Sequence, residues 1–191
     1  MLTTYLKQVA SMQAGIGKPD TFNYYGLEDY VFDRGVPQTL STPLTEEEQD
    51  ALFKTADRVG PFLQKQCFHN AQMLAMTNPD LKYVEGYAQG RVIPVHHAWV
   101  TLNGKLIDLT WRVENAQPCR LSDRILGVIP EGWQYIGITF DTETIRERVV
   151  ESGETRNMIG DYTRGFPLFQ QERIGWNPEP MPSLESIRAG S

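Results

Sequence analysis

The chain has 191 residues, 40% of them hydrophobic and 10% aromatic, with 18 basic against 24 acidic side chains for a net charge of −6, which describes one globular domain able to bury a core without a disulfide or metal framework. The acidic balance and the lack of any Lys or Arg run argue against nucleic acid as the obvious partner, because phosphate binding needs concentrated positive charge. No window approaches the ~20 apolar residues of a membrane-spanning helix, and residues 1–14, with Lys7 as their one base, do not read as a secretion signal. The expectation is a cytoplasmic protein, in a bacterial or phage context alike, with reduced thiols at Cys67 and Cys119.

Leu2, Tyr5, Leu6, Val9 and Met12 recur at three- and four-residue steps and predict an amphipathic helix that Gly15 and Gly17 bring to an end. From 19 to 43 the pattern dissolves into Phe22, Tyr24, Tyr25, Tyr30 and Phe32 among Gly, Asp and Asn, which reads as an irregular aromatic arm anchored on the domain surface by its rings. Thr45 with Glu48 three residues on is a capping box, and Glu46, Glu47 and Glu48 suit the positive end of a helix dipole, so a helix over 46–59 follows. Gly60 and Pro61 break the chain before a second helix over 62–76, with Phe68, Ala71, Leu74 and Ala75 on one side and Cys67 in its early part.

Strands are predicted over 82–88, 92–102 and 105–111, the last two joined by Asn103-Gly104, a strong short-range hairpin signal. A further strand over 134–140 and a charged helix over 142–151 follow, and the tail from Asn177 carries Pro178, Pro180 and Pro182. The division expected is an N-terminal helix and aromatic arm over 1–44, a core over about 45–152 and a Pro-rich extension over about 153–191, in one α+β domain.

The histidines number three, His69, His96 and His97, and all lie within thirty positions of Cys67, with Asp108 just beyond. A cysteine nucleophile needs an imidazole to form its thiolate, and the imidazole needs a carboxylate or amide to fix its tautomer. If Asn103 and Gly104 are the turn, Leu102 pairs with Lys105, His97 falls opposite Thr110, and Asp108 stands one diagonal away on the same face. That diagonal spans ~7–8 Å at Cβ, within reach of a histidine–aspartate hydrogen bond. His96 points to the other face by parity and is the fallback base, because a bulge or three-residue loop would exchange the two histidines.

The segment Gln66-Cys67-Phe68-His69-Asn70-Ala71, then Tyr83-Val84-Glu85-Gly86-Tyr87, His97-Ala98-Trp99-Val100 and Ile107-Asp108-Leu109-Thr110-Trp111, resembles the core of the transglutaminase-like superfamily of papain-like cysteine enzymes. The resemblance spans 64–111 and departs from the family pattern at Phe68, where a Trp is frequent, and in the doubled His96-His97. It implies a papain-like core in which a helix bearing Cys67 packs on an antiparallel sheet bearing His97 and Asp108, with Cys67 as nucleophile, His97 as base and acid, and Asp108 as orienter. Gln64 and Gln66, just upstream of Cys67, are candidates to support an oxyanion with the backbone amide of Cys67.

The expected chemistry is that of a thiol hydrolase or acyltransferase, a peptidase, amidase, deamidase or transglutaminase, acting on a protein, peptide or small amide without a cofactor, nucleic acid or membrane. Two other readings stand beside it. In one, the domain is an inactive binding module working through protein–protein contact, with Trp99, Trp111 and Trp133 as core or recognition rings. In the other, Cys67, His69, His96 and His97 hold a metal, against which stands the opposite pointing of adjacent strand histidines.

Overall fold

A computed structural model describes residues 1–90, 92–112 and 123–170. Among them, five α-helices accompany a six-stranded antiparallel sheet of order β1-β6-β2-β3-β4-β5, an α+β architecture. The strands are β1 (Val36–Pro37), β2 (Lys82–Gln89), β3 (Pro94–Leu102), β4 (Lys105–Arg112), β5 (Arg124–Leu126) and β6 (Gln134–Phe140). The helices are α1 (Leu2–Ile16), α2 (Leu27–Arg34), α3 (Glu46–Val59), α4 (Cys67–Thr77) and α5 (Thr142–Ser152).

Local chemistry explains most of these elements. The apolar steps of α1 place Leu2, Leu6 and Ala10 in the interior, and Gly17 closes the helix with φ 92°. The α3 start is sealed by the expected reciprocal box, in which Thr45 accepts from the Glu48 amide and Glu48 from the Thr45 amide. Asp141 caps α5 by accepting from the Thr144 amide, and Gly153 ends it in a left-handed conformation. Asn103 and Gly104, at φ 52° and 78°, form the tight turn between β3 and β4, and the observed pairs Leu102↔Lys105, Thr101↔Leu106 and Val100↔Ile107 are those the hairpin signal predicts.

Three expectations are corrected. The stretch 19–43 is not wholly irregular: it contains α2 and β1, with Tyr30 and Val31 buried in the core and Val36 paired to Gly137. The burial comes from tertiary contacts of α2, whose eight residues are too few to show a helical period clearly. The core also exceeds 45–152, since Leu2 and Leu6 enter it from one side and Met158, Ile159 and Phe169 from the other. Finally, the helix expected over 62–76 begins only at Cys67. The preceding turn is held instead by the buried Asn70 side chain, which accepts from the Leu63 amide at 3.0 Å and donates to the Leu63 carbonyl at 2.8 Å. The Pro-rich tail from Asn177 lies outside the described residues.

The sheet has two unlike faces. On one, Tyr83, Tyr87, Ala98, Val100, Ile107, Ile136 and Ile138 join buried residues of α1 to α5 in the larger core cluster. On the other, Val84, Ala88, Trp99, Leu106, Ile125 and Tyr135 form a smaller cluster edged by Trp111, Ile129 and Trp133. α4 lies against β2, β3 and β4, which brings its first residue, Cys67, to the strands that carry the histidines.

Candidate active site

The β3–β4 ladder covers three residue pairs next to the turn, and the strand stretches beyond it carry His97 and Asp108. His97 Nε2 donates to Asp108 Oδ2 at 2.7 Å, as the diagonal placement predicts. The other carboxylate oxygen, Oδ1, turns back along β4 to accept from the amides of Thr110 at 2.9 Å and Trp111 at 3.1 Å. Those amides are thereby committed to a side chain, and the pairing of β4 with β5 shifts register over the same stretch, between Asp108 and Arg112. The Tyr135 hydroxyl completes the shell by donating to Oδ2 at 3.1 Å. It comes from β6, two strands away from β3, above the level where Gly86 pairs with both His97 and Gly137.

With Nε2 engaged by Asp108, Nδ1 is the nitrogen left to face Cys67, which interacts with the His97 ring and lines the same cleft. Burial works against a charged His97, but the Asp108 charge and hydrogen bond, with the contact to Cys67, outweigh it and raise its pKa to about 9. Burial pushes Asp108 the other way, yet the His97 charge and the two backbone donors hold it below the ordinary aspartate value. Trp111 stacks on the His97 ring at 4.4 Å between centroids and 24° between planes. Cys67, as the first residue of α4, sits where backbone amides are unpaired and the dipole favours negative charge, and no side chain caps this helix start.

A cleft of about 560 Å³ opens over this arrangement, lined by Gln64, Lys65, Cys67, Val95, His96, His97, Thr110 and Trp111. Lys65 holds φ at 61°, a left-handed conformation uncommon for a side-chain-bearing residue, in the turn that delivers Cys67. Asn70 ties that turn to β4 by donating to Thr110 Oγ1 at 3.0 Å.

The residues singled out in the sequence fall as follows. Cys67, His97 and Asp108 meet, and Gln64 lines the cleft. Gln66 is exposed at the N-cap of α4, makes no capping bond and is not among the lining residues. His96 lines the same cleft from the opposite face of β3, with Nε2 on the buried carboxylate of Glu85 at 2.9 Å. His69 bonds Thr155 at 2.8 Å, away from the cleft. Of the four side chains of the metal reading, Cys67 and His97 face each other while His69 and His96 are tied to Thr155 and Glu85, and among the described residues no group of three or more His, Cys, Asp or Glu is placed to hold an ion.

Sequence reasoning missed Glu85, Tyr135 and Asn70. Glu85 stands in a strand as a lone acid among apolar neighbours, Tyr83, Val84 and Tyr87, and that anomaly is the signal that could have found it. No comparable signal marks Tyr135 or Asn70. Comparison with protein-family models, with curated proteins and with solved structures finds no match.

Proposed function

We propose that this protein is a cysteine-dependent amide hydrolase or acyltransferase of the transglutaminase-like kind, working through a Cys67 acyl-enzyme. The observation that supports it most is the chain of contacts from Cys67 at a helix start, through the His97 ring, to a buried Asp108, beneath an open cleft. Cys67 Sγ attacks the substrate carbonyl, and the oxyanion meets the unpaired amides at the start of α4, with the Gln64 side chain nearby. His97, protonated at neutral pH, gives its proton to the leaving amine, while Asp108 keeps the ring oriented and balances its charge. Attack of water or of a second amine on the thioester then releases the acyl group, as hydrolysis in the first case and acyl transfer in the second. The substrate class that fits is a protein, peptide or small amide.

The reading is tested without a substrate, by the rate of iodoacetamide alkylation of Cys67 against Cys119 across pH 5 to 9, in wild type and in His97→Gln. Fast labelling of Cys67 at pH 6 that collapses in the variant is expected of an activated pair. Labelling like that of an ordinary thiol, indifferent to the histidine, would overturn the catalytic reading and leave a binding module.

A further inference from the structure

The cleft holds a second imidazole backed by a second buried carboxylate. Glu85, fully buried, accepts from His96 Nε2 at 2.9 Å and the Ile159 amide at 2.9 Å on Oε1, and from the Tyr83 hydroxyl at 2.6 Å and the Met158 amide at 2.6 Å on Oε2. Two obligate backbone donors, one on each oxygen, fix both oxygens as acceptors, so Nε2 of His96 is the nitrogen bearing hydrogen and Nδ1 is left with its lone pair. The ring packs against Phe68 at 4.8 Å and Tyr87 at 5.9 Å between centroids. A surface histidine would move among rotamers, whereas this one packs against two rings and is bonded at one nitrogen while still lining the cleft.

Exposure separates it from His97. The His97 side chain is 3% accessible and covered by the stacked Trp111 ring, whereas that of His96 is 21% accessible. His96 is therefore the more open of the two imidazoles to a nucleophile arriving from solvent.

We propose that His96 is a second proton acceptor of this cleft, acting through Nδ1 on the water or amine that resolves the acyl-enzyme, with Glu85 as its positioning residue. The inference rests on the acyl-enzyme reading given above. In the step, the nucleophile's oxygen or nitrogen bonds to the acyl carbon as its proton passes to His96 Nδ1. The carbon–sulfur bond then breaks, its electron pair returns to Cys67 Sγ, and the His96 imidazolium gives its proton to solvent.

The test uses p-nitrophenyl acetate as acyl donor, with the nitrophenol burst reporting acylation and the steady state reporting deacylation, in wild type and in His96→Gln. Glutamine keeps an N–H for Glu85 and lacks a basic nitrogen. Deacylation is expected to fall about 100-fold, with acetylated Cys67 accumulating by mass spectrometry, while the burst rate stays within about twofold. Glu85→Gln is expected to slow the same step and to spare the burst. Added glycinamide separates the two nucleophiles, because faster nitrophenol release with an acetylated amide as product assigns the step to an amine, and no effect assigns it to water. Deacylation unchanged in His96→Gln, or both steps slowed in parallel, overturns the inference. A wild-type protein giving no burst and no acetylated Cys67 overturns the acyl-enzyme reading and this inference with it, an outcome distinct from turnover that ignores His96.

Discussion

Two neighbouring residues of β3 build two histidine–carboxylate pairs of the same composition on opposite faces of one sheet. Asp108 and Glu85 are both buried, and each accepts from one histidine, one tyrosine and two backbone amides. Each pair is also a diagonal one. His96 stands opposite Tyr87 and reaches Glu85 two residues along β2, just as His97 reaches Asp108 on β4. What differs is where the amides come from. Asp108 takes them from Thr110 and Trp111, two and three residues on in its own strand, whereas Glu85 takes them from Met158 and Ile159, 73 and 74 residues away. One pair is therefore a local motif that the strand supplies to itself, and the other is a joint that fastens the segment after α5 to the middle of the sheet.

That contrast is most sharply broken by removing one imidazole at a time. His97→Gln is expected to lower the acylation rate about 10²–10⁴-fold, the range of a lost general acid–base group, while His96→Gln leaves acylation unchanged. The burst with p-nitrophenyl acetate reads both. Removing the carboxylates comes next. Asp108→Ala and Glu85→Ala are each expected to cost about 3–5 kcal/mol in urea denaturation, since each strands several buried donors. Glu85→Ala alone should also speed hydrogen exchange at the Met158 and Ile159 amides, and equal exchange in the two variants would erase the distinction between joint and local motif.

A smaller effect is expected at Gly86, which pairs with His97 on one side and Gly137 on the other. A Cβ there would collide with the Ile136 carbonyl and come within 2.5 Å of the Gly137 Cα. Gly86→Ala is expected to cost about 1–3 kcal/mol by overpacking, read as a lower thermal midpoint. A further expectation concerns pH. His97 is raised from 6.5 to about 9 in the folded protein, so the stability it contributes is complete below pH 6.5 and is lost as pH rises through about 9. Asp108 is lowered from 3.8, so its contribution is present above that value and is lost as pH falls through the lower folded one. Urea midpoints should decline from pH 6.5 to 9 in wild type, and this part of the decline should be missing in His97→Gln.

The legibility of the site follows the same division. The β3–β4 register could be counted from Asn103-Gly104 because a two-residue turn with both φ values positive admits one pairing, and that register carries the His97–Asp108 diagonal. The connection 90–93 between β2 and β3 contains no such turn signature, so nothing in the sequence places Glu85 beside His96. The helix start at Cys67 was blurred for a related reason. Gly60 and Pro61 mark a break, but the turn at 63–66 is held by Asn70 from within the following helix, and side-chain bonds of that kind leave no periodic trace. α2 was hidden among aromatics whose burial depends on partners far along the chain, as in the 5.7 Å contact of Tyr30 with Phe169.

By itself the sequence determined the elements whose causes are local. These are the capped α3, the Asn-Gly hairpin, the strand at 134–140 and the proximity of one histidine to one aspartate, each fixed by interactions within a few residues or across a tight turn. The tertiary structure alone decided the strand order, the joining of Glu85 to His96, Met158 and Ile159, the reach of Tyr135 to Asp108, and the delivery of Cys67 to His97. Those contacts link positions tens of residues apart, where the loop-closure cost is recovered by burial shared among many side chains and no spacing in the chain records the result.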